Sequence, residues 1–149
     1  MTSVIQSHRG YVLKYVSDAV IAFFPSSSDR IIACKNSVKC ARSISSAIKN
    51  GINPILNQYD YSEFCVKIGI DEGENVVVLY GQDKSSSIDI LGYCISITSK
   101  ITTITEADQI TVGEDVYFAL DDTLRNKFSE ITSQVEDWKC TNRTTGNLY

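Results

Sequence analysis

One residue of this chain that could do chemistry is a carboxylate at the tip of a predicted hairpin. Asp18 lies in the two-residue gap between two short β-prone runs, residues 11–16 and 19–24. A hairpin tip exposes a carboxylate while the two strands hold it in place, which suits a ligand for a metal ion. An ordinary aspartate in a tight turn has the same signature, because Asp is a favoured turn residue. The residues alone leave both interpretations open.

A second candidate group lies on a predicted helix. The spacing of apolar residues predicts a helix over 89–104, and Ser96 and Lys100, four residues apart, share one of its faces. This face lies away from the apolar stripe, so it presents a hydroxyl and an ammonium group, both hydrogen-bond donors. A solvated polar helix face is the competing interpretation.

The elements that must position these residues are predicted from periodicity and turn residues. The runs on either side of Ser17 and Asp18 are typical of a hairpin. A helix over 30–50 begins with Ser28 or Asp29 as its cap and ends at Gly51. The next element is a hairpin, in which a loop joins strands over 64–70 and 76–80. Helices over 89–104 and 114–127, the latter in one or two pieces, lie on either side of a short strand over 109–112. One or two late strands follow over 128–140.

This mixed order of strands and helices predicts the fold class. Antiparallel hairpins together with helices indicate an α+β sandwich, with one mostly antiparallel sheet and helices packed mostly on one face. The length of 149 residues fits one domain. We assign residues 1–140 to that domain and residues 141–149 to a C-terminal tail.

Four segments resemble, in order, motifs of the class III nucleotidyl cyclases, the adenylyl and guanylyl cyclases. The matched motifs are the K-x-x-G-D-A hairpin, the R-I-G-I-x-x-G strand and turn, the D-x-x-G-x-x-V-N-x-A-S-R helix and the I-x-V-S-x-x-V junction. They correspond to KYVSDA (14–19), KIGIDEG (67–73), DILGYCISITSK (89–100) and ITVGEDV (110–116). The resemblance runs from about residue 5 to residue 120. It identifies the chain as a divergent, N-terminally incomplete member of that family.

The resemblance implies a fold, a reaction and an assembly. The expected fold is a ferredoxin-like sandwich, here without its first strand and most of its first helix. The expected reaction converts ATP to cyclic AMP and pyrophosphate, with two Mg²⁺ or Mn²⁺ ions assisting the attack of the ribose 3′-oxygen on the α-phosphate. The expected assembly is a head-to-tail homodimer with its sites at the interface.

The resemblance also assigns roles to single residues. Lys14 and Asp89 correspond to the pair that recognises adenine, because a lysine donates to adenine N1 and a carboxylate accepts from its 6-amino group. Guanine presents the opposite pattern, so ATP is the expected substrate. The alternatives are a surface lysine and a helix N-cap aspartate. Asp18 corresponds to the second of two metal-binding aspartates.

The chain departs from the family pattern at several of these positions. Ser96 and Lys100 stand where the family has the Asn that orients the ribose and the Arg that contacts the phosphates, and Ser17 replaces a Gly. Residues 1–17 contain no carboxylate that could act as the first metal ligand. These departures favour an alternative: a catalytically degenerate homologue that acts as a nucleotide-binding or dimerisation and regulatory module. A third possibility is an interaction domain that binds no nucleotide.

Composition and charge exclude several other classes. A net charge of −4 and a pI near 4.9 are not the electrostatic signature of a nucleic-acid-binding protein. The longest apolar run, residues 19–24, is far shorter than the ~20 residues that cross a bilayer. We therefore expect no nucleic-acid partner, no membrane and a cytoplasmic location. Five cysteines without C-x-x-C spacing indicate reduced thiols.

Overall fold

The computed structural model describes residues 1–26, 29–81 and 87–131, together with Trp138 and Cys140. Its mixture of helices and strands confirms the α+β class. The helices are α1 Thr2–Ser7, α2 Arg30–Ala47, α3 Asn53–Asn57, α4 Tyr93–Ile104, α5 Glu114–Ala119 and α6 Asp122–Arg125. The strands are β1 Tyr11–Val16, β2 Ala19–Phe23, β3 Ile68–Ile70, β4 Val76–Tyr80, β5 Ser87–Leu91 and β6 Ile110–Val112.

The predicted first hairpin is confirmed. Strands β1 and β2 are antiparallel, and Val16 pairs with Ala19 across the two-residue turn. Ser17, at φ 55°, takes the left-handed conformation that this turn requires. The turn therefore presents Asp18, an exposed residue, at its tip.

The strands of the described residues form three separate two-stranded ladders. Two of them are antiparallel, β1–β2 and β4–β5, and the third is the parallel pair β3–β6. The predicted hairpin between 64–70 and 76–80 is therefore wrong. Strand β3 takes a distant partner, since Ile68 pairs with Ile110, and residues 71–75 lead from one ladder to another.

Strand β3 is also shorter than predicted. The side-chain amide of Asn53 donates to the carbonyl of Phe64 at 3.0 Å and accepts from the Phe64 N–H at 3.0 Å. These bonds occupy the Phe64 backbone groups that a strand ladder would otherwise use. The strand accordingly begins only at Ile68.

The predicted limits of two helices need correction. Asp29 is confirmed as the cap of α2, since its carboxylate accepts from the N–H groups of Ile31 and Ile32 at 2.8 and 3.3 Å. Gly51 does not end the helix, because the chain continues through a π-helical turn, Ile48–Ile52, into α3. Pro54 lies in the first turn of α3.

The helix predicted over 89–104 begins later. Residues 89–91 belong to β5, and α4 starts at Tyr93, directly after Gly92. The buried residues of α4 are Cys94, Ile97 and Ile101. The helical pattern over 114–127 does divide into two pieces, α5 and α6.

The core has two parts. One packs α2 against α5 and α6 through Cys34, Val38, Val116, Leu120 and Leu124. The other packs Ile97 and Ile101 of α4 against Trp138. Most of the predicted late strands falls outside the described residues, as does the tail 141–149, and residues 128–131 form no strand.

Candidate functional site

Lys14 and Asp89 meet in the structure. The Lys14 Nζ atom donates to Asp89 Oδ2 at 2.6 Å, although the two residues are 75 positions apart. The lysine side chain is 39% exposed and the aspartate 19%, so the pair remains open to solvent on one side. The hydrogen bond from Lys14 lowers the pKa of Asp89, and a backbone N–H bond from Ile90 acts in the same direction. Asp89 is therefore ionised at neutral pH.

The backbone fixes both members of this pair. Lys14 lies within the β1–β2 hairpin opposite Ile21, and Asp89 lies within the β4–β5 ladder opposite Val78. The pair therefore places a hydrogen-bond donor on one strand beside an acceptor on another.

Asp18 lies exposed at the hairpin turn on the same two-stranded ladder as Lys14. Among the described residues, no group of three or more His, Cys, Asp or Glu side chains could hold a metal ion. The described part of one copy therefore offers Asp18 as a single carboxylate at this tip. This donor set does not by itself fit a complete two-metal site.

Ser96 and Lys100 share the solvent-facing side of α4, and both are exposed. Lys100 Nζ lies 3.4 Å from the Sγ atom of Cys140. Gly92 sets where this helix begins, because a Cβ atom there would collide with Asn75 Oδ1. Ser96 and Lys100 therefore share one exposed face of α4, and Lys100 lies beside Cys140.

The sequence analysis missed a cluster of charged residues around the end of β3. Arg30 Nε contacts Glu72 Oε2 at 2.7 Å, and Arg30 Nη2 contacts Asp115 Oδ1 at 3.3 Å. The neighbouring Asp71 has both carboxyl oxygens buried and without a hydrogen bond of normal geometry. Burial raises the pKa of Asp71 to about 7, and the Asp115 and Glu72 carboxylates also raise it. The sequence does place an acidic residue directly after the apolar run Ile-Gly-Ile, but the hairpin prediction treats that position as part of a loop.

Comparison with protein families decides the identity of the domain. Residues 1–143 match the model of the adenylate and guanylate cyclase catalytic domain. The chain belongs to this family. The resemblance found in the sequence motifs is thereby confirmed, and so is the nucleotidyl cyclase fold. No curated protein sequence matches the chain.

Solved structures of cyclases share the fold at low sequence identity. The guanylyl cyclase Cya2 superposes with a TM-score of 0.73 at 22% identity, over 80% of this chain and 60% of that one. The adenylyl cyclase CyaB from P. aeruginosa gives 0.72 at 19% identity, over 78% and 61%. The guanylate cyclase domain of RhGC from Catenaria anguillulae, solved with GTP, gives 0.66 at 15% identity, over 80% and 63%.

The chain spans about three fifths of the length of the first solved structures that it matches. None of the helices in the described part of the chain combines the length and apolar character needed to cross a bilayer.

Proposed function

We propose that this cyclase domain recognises the adenine of ATP through Lys14 and Asp89 and, within a homodimer, takes part in forming cyclic AMP and pyrophosphate. The observation that carries the proposal is the 2.6 Å contact between the two side chains. Family membership alone does not determine which base is recognised, because the similar structures include both guanylyl and adenylyl cyclases. The donor–acceptor polarity of the pair supports adenine.

In the proposed complex the base displaces the ion pair. Lys14 turns its ammonium group from Asp89 to adenine N1, while the Asp89 carboxylate accepts from the 6-amino group. Guanine would place its N1–H against the ammonium group and its O6 against the carboxylate. Unpaired buried polar groups cost about 1–3 kcal/mol each, which is enough to discriminate the two bases.

The proposed roles of Ser96 and Lys100 concern the ribose and the phosphates. Ser96 supplies one donor on a short side chain, and Lys100 supplies a positive charge without the two-pronged geometry of an arginine. Donors that stabilise growing charge on a reacting group are worth roughly 10²–10³ in rate each. We therefore expect slow turnover even where nucleotide binds well.

The proposed cofactor is Mg²⁺ or Mn²⁺, with Asp18 as a ligand. In the reaction of the family, such ions promote the attack of the ribose 3′-oxygen on the α-phosphorus. Because the described residues of one copy provide a single carboxylate at this tip, cyclisation requires at least one further acidic ligand. This observation favours a second candidate function, a nucleotide-binding or dimerisation module that does not turn over.

The proposed partner is a second copy of the chain, arranged head to tail. The β4–β5 ladder supports this because it exposes large apolar side chains along both of its strands. Six of these side chains are each between 56% and 70% exposed: Val76, Val77, Leu79 and Tyr80 on β4, and Ile88 and Leu91 on β5. Many exposed large apolar side chains on one element indicate an interaction site in soluble proteins. Sedimentation velocity should therefore detect a dimer that Leu79→Glu converts to monomer.

Nucleotide-induced thermal stabilisation tests the proposed recognition. We expect ATP to raise the Tm of the chain more than GTP does, and Lys14→Ala and Asp89→Asn each to abolish the ATP shift. A matched control is the Lys35–Asp121 pair, a second lysine–aspartate contact between separate elements at 3.1 Å. Lys35→Ala should leave the ATP shift intact. No shift with any nucleotide would contradict the proposal and leave only an interaction domain.

Product analysis separates the two candidate functions. Cyclic AMP formed from ATP and Mn²⁺, and lost in Asp18→Ala, would establish the cyclase. An ATP shift without cyclic AMP would establish the nucleotide-binding module.

A further inference from the structure

The cluster at the end of β3 contains none of the residues of the proposed nucleotide site. Asp71 directly follows β3, and the groups that act on it come from its own loop and from three helices. Glu72 is the next residue of the loop, and the others are Cys34 of α2, Cys94 of α4 and Asp115 of α5. Asp71 therefore lies where β3 meets three helices.

The positive charge of this cluster, on Arg30, is not paired with Asp71. The Arg30 guanidinium is engaged by Glu72 at 2.7 Å and by Asp115 at 3.3 Å, so neither of these ion pairs goes to Asp71. Both Asp71 oxygens are inaccessible to solvent and lack a hydrogen bond of normal geometry, so the nearby Glu72 N–H and Cys94 thiol compensate the charge only in part. A buried carboxylate without full compensation is expensive, whereas the protonated acid is not.

We propose that Asp71 is a proton-sensitive lock, which holds its proton in the folded domain and loosens the junction of β3, α2, α4 and α5 when it ionises. Burial raises the pKa of Asp71 to about 7, with the Asp115 and Glu72 carboxylates acting in the same direction. The Glu72 N–H and the Cys94 thiol act against this rise. Asp71 therefore loses its proton, and the junction loosens, close to neutral pH.

The loop after Asp71 connects this lock to the start of α4. A Cβ atom on Gly73 would lie 3.1 Å from Cys94 Cβ, and one on Gly92 would collide with Asn75. Such close contacts leave little space for the loop to move without α4. Ionisation of Asp71 should therefore shift the first turn of α4, the helix that carries Ser96 and Lys100.

The direction of the pH effect follows from proton linkage. The unfolded chain titrates Asp71 near its ordinary pKa of 3.8, and the folded chain near 7. The folded state therefore binds more protons between these values, so stability from Asp71 falls as the pH rises through this window and is constant above it. Burial raises the pKa of Cys34 to about 11, so its titration lies outside a window of pH 5 to 8.

Carbon-13 NMR of the side-chain carboxyl in the full chain tests the lock directly. We expect Asp71 to titrate with a midpoint between pH 6 and 8, and the amide resonances of Gly92 and Cys94 to follow the same midpoint. An Asp71 that is fully ionised at pH 5 would overturn the proposal. Amide resonances that do not follow Asp71 would overturn the coupling to α4.

Asp71→Asn provides the second test, because asparagine is close in shape to the protonated acid but cannot ionise. Between pH 5 and 8 the Tm of the wild-type chain should fall by several degrees more than that of the variant. Contributions from other groups that both proteins share cancel in this difference. Asp122→Asn is the matched control, since the Asp122 side chain is 90% exposed, and it should keep the wild-type slope. An unchanged slope in Asp71→Asn would overturn the lock, and if that variant does not fold, the NMR titration decides.

The lock and the proposed nucleotide site can fail independently. The titration of Asp71 is measured without nucleotide, and ATP binding depends on Lys14 and Asp89. A missing ATP shift would leave the lock intact, and an ordinary Asp71 would leave the nucleotide site intact.

Discussion

Lys14 Nζ and Asp89 Oδ2, 2.6 Å apart, join two ladders that share no strand. The β1–β2 hairpin carries the lysine and the β4–β5 hairpin carries the aspartate. The relative position of donor and acceptor therefore depends on how the two hairpins pack rather than on a continuous sheet. A base that displaces the ion pair binds where the two hairpins meet.

Asp89 should make the domain less stable in acid. Because its pKa is lowered by Lys14, the folded state loses this stabilisation as the pH falls below the ordinary aspartate value. We expect Asp89→Asn to flatten the decline of Tm between pH 5 and 3, which thermal melts will measure. This effect has the opposite sign to that of Asp71, whose contribution grows as the pH falls. A variant with the wild-type acid slope would show that the ion pair is absent in solution.

The cap of α2 should contribute measurably to stability. Asp29→Ala removes the acceptor for two backbone N–H groups and should lower the free energy of unfolding by about 1 kcal/mol. Asp29→Asn keeps an oxygen acceptor and should cost much less. Urea denaturation of the three proteins gives both values. Equal losses in the two variants would indicate that the charge of Asp29, rather than its hydrogen bonds, matters.

The turn that presents Asp18 should tolerate glycine at position 17. Ser17 has φ 55°, and glycine removes a left-handed strain of about 1–2 kcal/mol while adding about 0.5–1 kcal/mol of chain entropy. Ser17→Gly should therefore leave stability within about 1 kcal/mol of wild type, whereas the β-branched Ser17→Val should cost more. Ser99→Gly, on the exposed face of α4, is the comparison and should cost about 1 kcal/mol. If Ser17→Val were neutral, the turn would have a different conformation.

Gly69 should be irreplaceable where β3 crosses α4. A Cβ atom there would lie 2.8 Å from the Thr102 N atom and 2.9 Å from the Thr98 carbonyl oxygen, and it would also meet the Thr102 hydroxyl. Gly69→Ala should destabilise the domain by about 2 kcal/mol or more, as overpacking does. Thr102→Ala should not rescue it, because the closest remaining atoms belong to the backbone. Rescue by Thr102→Ala would locate the clash in the side chain alone.

The parts of the fold that were predictable depend on local signals. The first hairpin and the Asp29 cap each follow from residues within a few positions of one another. The β3–β6 pairing was not predictable because it joins Ile68 to Ile110. Strand β5 was misassigned because the spacing of Ile88, Leu91 and Ile95 also fits a helix, and the break at Gly92 depends on contact with a distant loop.

The residues of the candidate site also differ in how far the sequence predicts them. Lys14 and Asp89 were identified through the family motifs, and no periodicity in the sequence would have paired them. Asp71 was missed because its burial depends on residues of α2, α4 and α5, which come together only in the folded chain. Its position in the sequence resembles that of any acidic loop residue.

Calorimetric titration of ATP and GTP into a charge-exchanged variant tests the central claim most directly. Lys14→Glu combined with Asp89→Lys keeps an ion pair between the two hairpins but reverses its donor–acceptor polarity, so that it matches guanine. We predict that the wild-type chain binds ATP more tightly than GTP, by about tenfold or more for one mismatched polar contact. The exchanged chain should prefer GTP. Equal preference in the two folded proteins would contradict adenine recognition by Lys14 and Asp89.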